Sequence, residues 1–382
     1  MSLKVLHIIN GEFFAGAERV QDLLALKLPD FNFECDFICL KEGDFERFRK
    51  STSKISLFPM RSKFDFSVSK RIIEQVKDQN YRLVHSHTPR SALIGKKIAK
   101  ALNIPLVHHV HSPTLRDTDN KLKNILNAFI EDKLVLPSAD HLIPVSFSLK
   151  NYLLEHGVSE DKITPVPNGV PIVSSTPAWQ APEADTWLIG TVALFRPRKG
   201  LEVLLHAIKQ LKEQGLNIRL KAVGTFETKE YEASIKKLAN VLKIENLIEW
   251  TGFTSNVHAE MESMHIFVLP SLFGEGLPMV VIEAMSVGIP VVSTDVEGIP
   301  DVLDHGKAGV IVPPNDSAAL AKGIASYISG EQDPITTART AHTRQAQIYS
   351  DTAMAKAVAS IYHQIIAIDP NKNHNKGLKE LN

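Results

Sequence analysis

The chain is poor in cysteine, with two, has three tryptophans, and carries no formal net charge, because 43 Lys and Arg offset 43 Asp and Glu across 382 residues. That balance argues against a strongly basic nucleic-acid binder. It hides a mild asymmetry, 24 basic against 20 acidic residues up to Ile172 and 19 against 23 after it, which suits an anionic surface or acceptor on the side of the first half. No apolar run approaches the roughly 18 residues of a membrane-crossing helix. The opening MSLKVLHIIN reads as a strand, without the apolar core and cleavage site of a secretory signal. A soluble cytoplasmic protein is expected, peripheral at most on the inner face of a membrane. Cys35 and Cys39 lie four apart in one strand-like segment, FECDFICL. A rise of about 3.3 Å per residue there puts them beyond disulfide reach, so two buried free thiols are expected.

What the chain does have is length and alternation. It exceeds the size at which one hydrophobic core keeps growing, so two domains are the default. Apolar runs of strand length alternate with longer segments of helical period, the pattern of parallel sheets covered by helices. In the first half the strands are KVLHIIN, FECDFICL, RLVHSH, PLVHHVH and HLIPVS. Helices are expected around Ala17 to Leu28, Ser67 to Gln79, Arg90 to Leu102, Asn120 to Leu136 and Leu149 to His156. A second series runs from WLIGTVAL through IRLKAVG, LIEWTG, HIFVLP and IPVVST to GVIVP, with helices over Leu201 to Gln214, Tyr231 to Leu242 and after Pro278. The Pro- and Ser-rich VSSTPAWQAPEAD separates the two series. The expected organisation is a doubly wound Rossmann-like domain over 1–172, a linker over 173–186 and a second such domain over 187–350. A C-terminal helix over 351–368 then packs back on the first domain, and 369–382 form a polar, mobile tail.

The strongest constellation is PSLFGEGLPMVVIEAMSVGIPVVST: a strand end, a Gly-rich turn, a helix opened by Pro278 and stopped by Gly288, and another strand. Glu275 precedes the helix and Glu283 lies inside it. Free backbone N–H groups and the dipole at a helix N-terminus favour an anion, and Gly276 lets a phosphate approach the backbone. Two carboxylates beside an anion repel it unless they accept hydrogen bonds from hydroxyls, which sugars and riboses supply. Here the sequence resembles glycosyltransferase family 4, whose hallmark is two Glu separated by seven residues after a Gly-containing turn.

The resemblance implies a GT-B α/β fold, two Rossmann-like domains facing each other across a cleft, and transfer of a sugar from a UDP- or GDP-sugar with retention of configuration. It implies that Glu275 holds the donor sugar through its hydroxyls, that Glu283 binds the ribose, and that Gly276 and Leu277 line the phosphate position. Lys199, in GTVALFRPRKG, is the diphosphate cation. The family often has Arg five residues before this Lys, where Leu194 stands here; Arg196 or Arg198 takes its place, with Arg196 favoured because Arg198 is expected to point outward. Gly16, in NGEFFAGAERV, matches a diphosphate-binding loop, with Glu18 as a helix cap. Gly252 and Val257 bracket the stretch that holds the nucleotide base through backbone groups. Asp301 stands where the family commonly has Glu.

Histidines concentrate in RLVHSHTPR and PLVHHVHSPT. Alternation sends His109 and His111 to one face and His108 to the other. His111 matches a family position near the transferred sugar, and His87 is a second cleft candidate; His85, His108 and His109 are read as packing residues. A zinc site is conceivable there, but no cysteine or acidic set completes a metal pattern, and the family is generally metal-independent, so no metal or cofactor is expected. In PVPNGVP, Asn168 shapes a turn near the cleft, with Pro171 in place of the family's Asp. The acceptor is expected to be a saccharide or lipid-linked molecule in surface polysaccharide or lipopolysaccharide synthesis. Membrane contact would come through Arg90, Lys96, Lys97 and Lys100 on one helix and through amphipathic KLKNILNAFIEDKLVL. The competing readings are a sugar-nucleotide epimerase of the same architecture and a catalytically silent nucleotide-sugar-binding subunit.

Overall fold

The computed structural model describes residues 2–14, 16–62, 65–111, 131–173 and 179–368. The chain divides into two compact units, Met1–Asn168 with Asp351–Asn382, and Gly169–Ser350.

In the first unit six strands form one sheet: β1 (Leu3–Ile9), β2 (Phe33–Cys39), β3 (Ile55–Leu57), β4 (Tyr81–Ser86), β5 (Leu106–Val110) and β6 (His141–Pro144). Their spatial order is β3-β2-β1-β4-β5-β6. The β1 pairing is parallel and in register from Leu3 opposite Phe33 to Ile9 opposite Cys39. Near-continuous apolar runs such as Val5, Leu6, Ile8 and Ile9 are fully buried, as expected of strands covered on both faces. Each such side chain contributes roughly 1.5–3 kcal/mol of transfer free energy.

The expected helices take shape as Gly16–Lys27, Val68–Val76, Pro89–Leu102 and Phe147–Glu155. The third starts at a reciprocal capping box, in which Thr88 accepts from the backbone of Ser91 and Ser91 accepts from that of Thr88. Of the helix expected from Asn120 to Leu136, residues 120–130 lie outside the described residues; Glu131–Val135 form a π turn. The amphipathic stretch proposed for membrane contact falls largely there, as does the tail over 369–382. The C-terminal helix Asp351–Ile368 belongs to the first unit. Its Tyr362 is buried with its ring centroid 5.1 Å from that of Phe33.

The second unit repeats the design with β7 (Trp187–Val192), β8 (Ile218–Val223), β9 (Ile248–Gly252), β10 (Ile266–Leu269), β11 (Val291–Thr294) and β12 (Val310–Val312). The order is β12-β11-β10-β7-β8-β9, the same doubly wound topology. Ligands of such sheets bind at the strands' carboxyl ends where the order reverses, between β1 and β4 in the first sheet and between β7 and β10 in the second. Two of its longer helices were not anticipated, Ser317–Ile328 and Pro334–Ile348. Both open on an Asp cap, Asp316 and Asp333, whose side chain accepts a backbone N–H in the first turn. The expected linker over 173–186 includes residues 174–178, which lie outside the described residues. Cys35 and Cys39 are buried and unbridged. Burial raises both thiols, Cys39 to about 12, so neither is a reactive thiolate at neutral pH.

Candidate functional site

In the second unit the loops after β7 and β10, on either side of the switch point, are stitched together. Leu272 N donates to Arg198 O at 2.8 Å. Gly200 has φ +65°, and a Cβ there would meet Pro270 O at 2.0 Å, so only glycine lets the two loops approach this closely. The contact carries Lys199 to Glu275. Lys199 Nζ donates to Glu275 Oε1, which also accepts from Ser271 Oγ at 2.6 Å. Glu275 is 5% exposed, and its backbone is held from behind: its N donates to Glu297 Oε2 at 3.1 Å, and its O accepts from Gly298 N at 3.1 Å.

Arg198 does not point outward as expected. Its Nη1 donates to Gly274 O at 2.7 Å and stands 4.0 Å from Glu275 Oε1. Arg196 instead pairs with Glu227 at 3.4 Å. The second cation beside Glu275 is therefore Arg198. Gly274 makes this possible, since with φ +79° a Cβ would lie 2.8 Å from Arg198 Nη1. Leu194 is 45% exposed.

Electrostatics follow from the geometry. Burial alone pushes the Glu275 carboxyl up, but the Lys199 ammonium, its hydrogen bond and that of Ser271 outweigh burial and hold it below its usual value. Burial pulls Lys199 down, opposed by Glu275 and reinforced by Arg198. The result is a charged pair, desolvated and pre-oriented. Directly after Glu275, Gly276 and Leu277 are buried at the approach to helix Met279–Val287, whose first N–H groups have no intrahelical acceptor. Glu283 lies inside that helix, fully buried. The helix stops at Gly288, φ +83°. Gly252 ends β9 with φ +75°, its O accepting from Gly224 N at 2.8 Å, and Val257 opens the short helix Val257–Glu262 capped by Asn256. Asp301 takes part through its backbone, its O accepting from Arg344 Nη2 and Tyr349 Oη at 2.8 and 3.1 Å.

In the first unit Gly16 is exposed at the start of helix Gly16–Lys27, and Asn168 is buried at the unit's edge. The histidines form a stack. His7 on β1, His85 and His87 at the end of β4, and His109 and His111 at the end of β5 bring their rings within 4.2–5.6 Å of a neighbour. His7 Nδ1 and His87 Nε2 are 3.0 Å apart, and His87 Nδ1 and His111 Nε2 are 3.3 Å apart. Tyr362 Oη lies 2.5 Å from His85 Nδ1 and 3.4 Å from His7 Nε2. His108 faces the other way, against Ser86 Oγ at 2.9 Å. Burial holds the rings neutral, with His7 and His111 lowered to about 3 and His108 to about 4; His85, His87 and His109 are lowered well below the usual value. His7 was not singled out from sequence. Its signal was its alternation in KVLHIIN, but only the register of β1 with β4, His7 opposite His85, reveals the partner.

A family model for group 1 glycosyl transferases matches residues 177–345, and one for glycosyltransferase family 4 matches residues 14–173. The WcaL protein of Salmonella typhimurium, named as a colanic acid biosynthesis glycosyltransferase, is 33% identical over 235 residues, 59% of this chain and 57% of that one. The Escherichia coli protein of the same name is 30% identical over 249 residues, 63% of this chain and 61% of that one. The chain thus aligns with less than two thirds of the length of these two relatives. Among solved structures, HepE of Anabaena in complex with UDP-glucose matches with a TM-score of 0.81 over 95% of this chain and 100% of that one, at 19% identity, a likeness of fold.

Proposed function

The chain belongs to the group 1, family 4 glycosyltransferases, and from that premise we propose that it moves a hexose, with retention of configuration, from a nucleotide sugar to a saccharide or lipid-linked acceptor in surface polysaccharide synthesis. The observation that carries this reading is the buried Lys199–Glu275 pair at the switch point, beside the N-terminus of the helix that holds Glu283. A free carboxylate at that place would repel a diphosphate. Lys199 and Arg198 offset it, and sugar hydroxyls donating to Glu275 would replace the hydrogen bonds it now accepts.

As the bond from the anomeric carbon to the diphosphate breaks, negative charge grows on the leaving oxygen. Lys199, Arg198 and the N-terminus of helix Met279–Val287 are already oriented to receive it, which costs no reorganisation during the reaction. These cations supply the charge stabilisation, so the reaction needs no metal. The acceptor hydroxyl enters on the face that the diphosphate leaves, and the diphosphate takes its proton. We assign the nucleotide base to the stretch from Gly252 to Val257, the ribose to Glu283 and the acceptor to the first unit, with His87, His111 and Asn168 as candidates. UDP-glucose, found on HepE, is the first donor to try, with GDP-sugars beside it. Among the described residues no helix is long and apolar enough to cross a membrane. Lys96, Lys97 and Lys100 are exposed on helix Pro89–Leu102 and give a lipid-linked acceptor's membrane a basic surface to meet.

The test is a panel of UDP- and GDP-sugars with oligosaccharide and polyprenyl-linked acceptors, followed by NMR of the product. Free nucleotide plus a glycoside with the donor's anomeric configuration is expected. An inverted glycoside would remove the retaining mechanism, an isomerised donor would point to an epimerase, and binding without turnover on the full panel would leave a silent binding subunit.

A further inference from the structure

The histidine stack contains two groups of three whose potential ligand atoms lie within 4.8 Å of one another, His7 with His85 and His87, and His87 with His109 and His111. They differ in what a cation would have to break. In the first group His7 and His85 are tied to Tyr362, His7 is also tied to His87, and all three are fully buried. In the second group both ring nitrogens of His109 are buried without a hydrogen-bond partner, although the residue is 1% exposed. A buried polar nitrogen left unsatisfied costs about 1–3 kcal/mol, and most such groups in native proteins find a partner. His111 is partly exposed, which gives this group a route to solvent.

We propose that His87, His109 and His111 form a binding site for a divalent transition ion of the zinc class, with an open position for water or an anion. Three neutral imidazoles and no oxygen ligand suit zinc, cobalt, nickel or copper rather than magnesium or calcium. The separation of His87 Nδ1 and His111 Nε2, 3.3 Å, equals the edge of a tetrahedron with metal–nitrogen bonds of about 2.0–2.1 Å. His109 has to turn inward to complete the face and gives up no hydrogen bond in doing so. Behind the site His87 Nε2 lies 3.0 Å from His7 Nδ1, and His7 Nε2 faces the Tyr362 hydroxyl. An ion on His87 Nδ1 would put the His87 proton on Nε2, where it can donate to His7 Nδ1, the arrangement that orients metal-bound histidines generally. Where His111 takes part in sugar transfer, as proposed above, the ion and transfer compete for its Nε2, which makes the site inhibitory. That clause alone rests on the transferase reading; the binding test does not.

The test is a titration of the full chain, freed of metal by chelation, with Co2+ and then Zn2+ in the absence of any nucleotide sugar. Expected are one Co2+ per chain, the intense visible bands of a four- or five-coordinate ion, and displacement by one equivalent of Zn2+. His109→Phe keeps the ring volume and removes a ligand; it should weaken binding by more than the about 10–100-fold that loss of an outer-shell partner costs. His111→Gln, at the partly exposed position, should do the same if His109→Phe fails to fold. His206→Gln, on an exposed helix position of the second unit, should change nothing. A chain that takes up no Co2+, or whose cobalt spectrum is pale and octahedral and survives both ligand substitutions, overturns the site and leaves the histidines as a hydrogen-bonded stack.

Discussion

Mild acid should unfold the first unit well before the second. His7 and His111 titrate near 3 and His108 near 4 in the folded chain because burial disfavours their charged forms, whereas an unfolded histidine titrates near 6.5. The unfolded state therefore binds more protons as pH falls below about 6.5, and stability is lost across the window from there down to the folded values. Between pH 7.0 and 5.5 each such ring costs about 1.3 kcal/mol. These three together remove about 4 kcal/mol, and His85, His87 and His109 shift in the same direction. A domain's whole stability is about 5–15 kcal/mol. In the second unit burial lowers His265. All three tryptophans, Trp179, Trp187 and Trp250, lie in the second unit, so their fluorescence reports its unfolding while far-UV circular dichroism follows both units. Urea titrations should show the two signals separating at pH 5.5, with the dichroism midpoint falling several times further than the fluorescence midpoint. His109→Phe should reduce the pH slope of the first transition, because it removes one ring that the unfolded state protonates and the folded state does not. Parallel midpoints between pH 7.0 and 5.5 by both probes would refute the neutral buried stack.

Two further predictions concern the second unit. Lys199→Met leaves Glu275 buried without its main counter-charge; transfer should fall about 10²–10³-fold and stability by about 3 kcal/mol, the low end for a broken buried pair because Arg198 remains 4.0 Å away. The double variant Lys199→Met/Glu275→Gln should recover most of that stability but none of the transfer, and a double variant no more stable than the single one would show that the pair is not coupled. Glu283→Gln should raise the donor KM about tenfold with a smaller change in kcat, as expected of binding made equally in ground and transition states; an unchanged KM for the nucleotide sugar would remove the ribose role.

How much of this was legible depended on how local the determinant is. Glu275, Glu283, Gly288 and the turn between β10 and its helix lie within one continuous segment, where Gly-rich turn, Pro278 and helix stop all read in order. The choice between Arg196 and Arg198 was not legible, because it is made by Gly274, whose φ of +79° opens room for a guanidinium from a loop 76 residues earlier in the chain. Strand existence was readable from apolar runs, but β3, three residues long and only partly buried, carries too little pattern to stand out. The histidines show the boundary most sharply. Alternation within PLVHHVHSPT correctly separates His108 from His109 and His111, since the period of two is a property of one strand. Which rings meet across strands is a property of parallel register, and that is set by crossover helices rather than by the residues that end up touching. Hence His85 and His87, which looked like a packing residue and an isolated candidate, become neighbours of His7, and His85 also meets Tyr362, which arrives from the far end of the chain. The same doubly wound order in both units gathers polar side chains at the carboxyl edge beside the switch point, so the edge could be anticipated from topology while the chemistry assembled there could not.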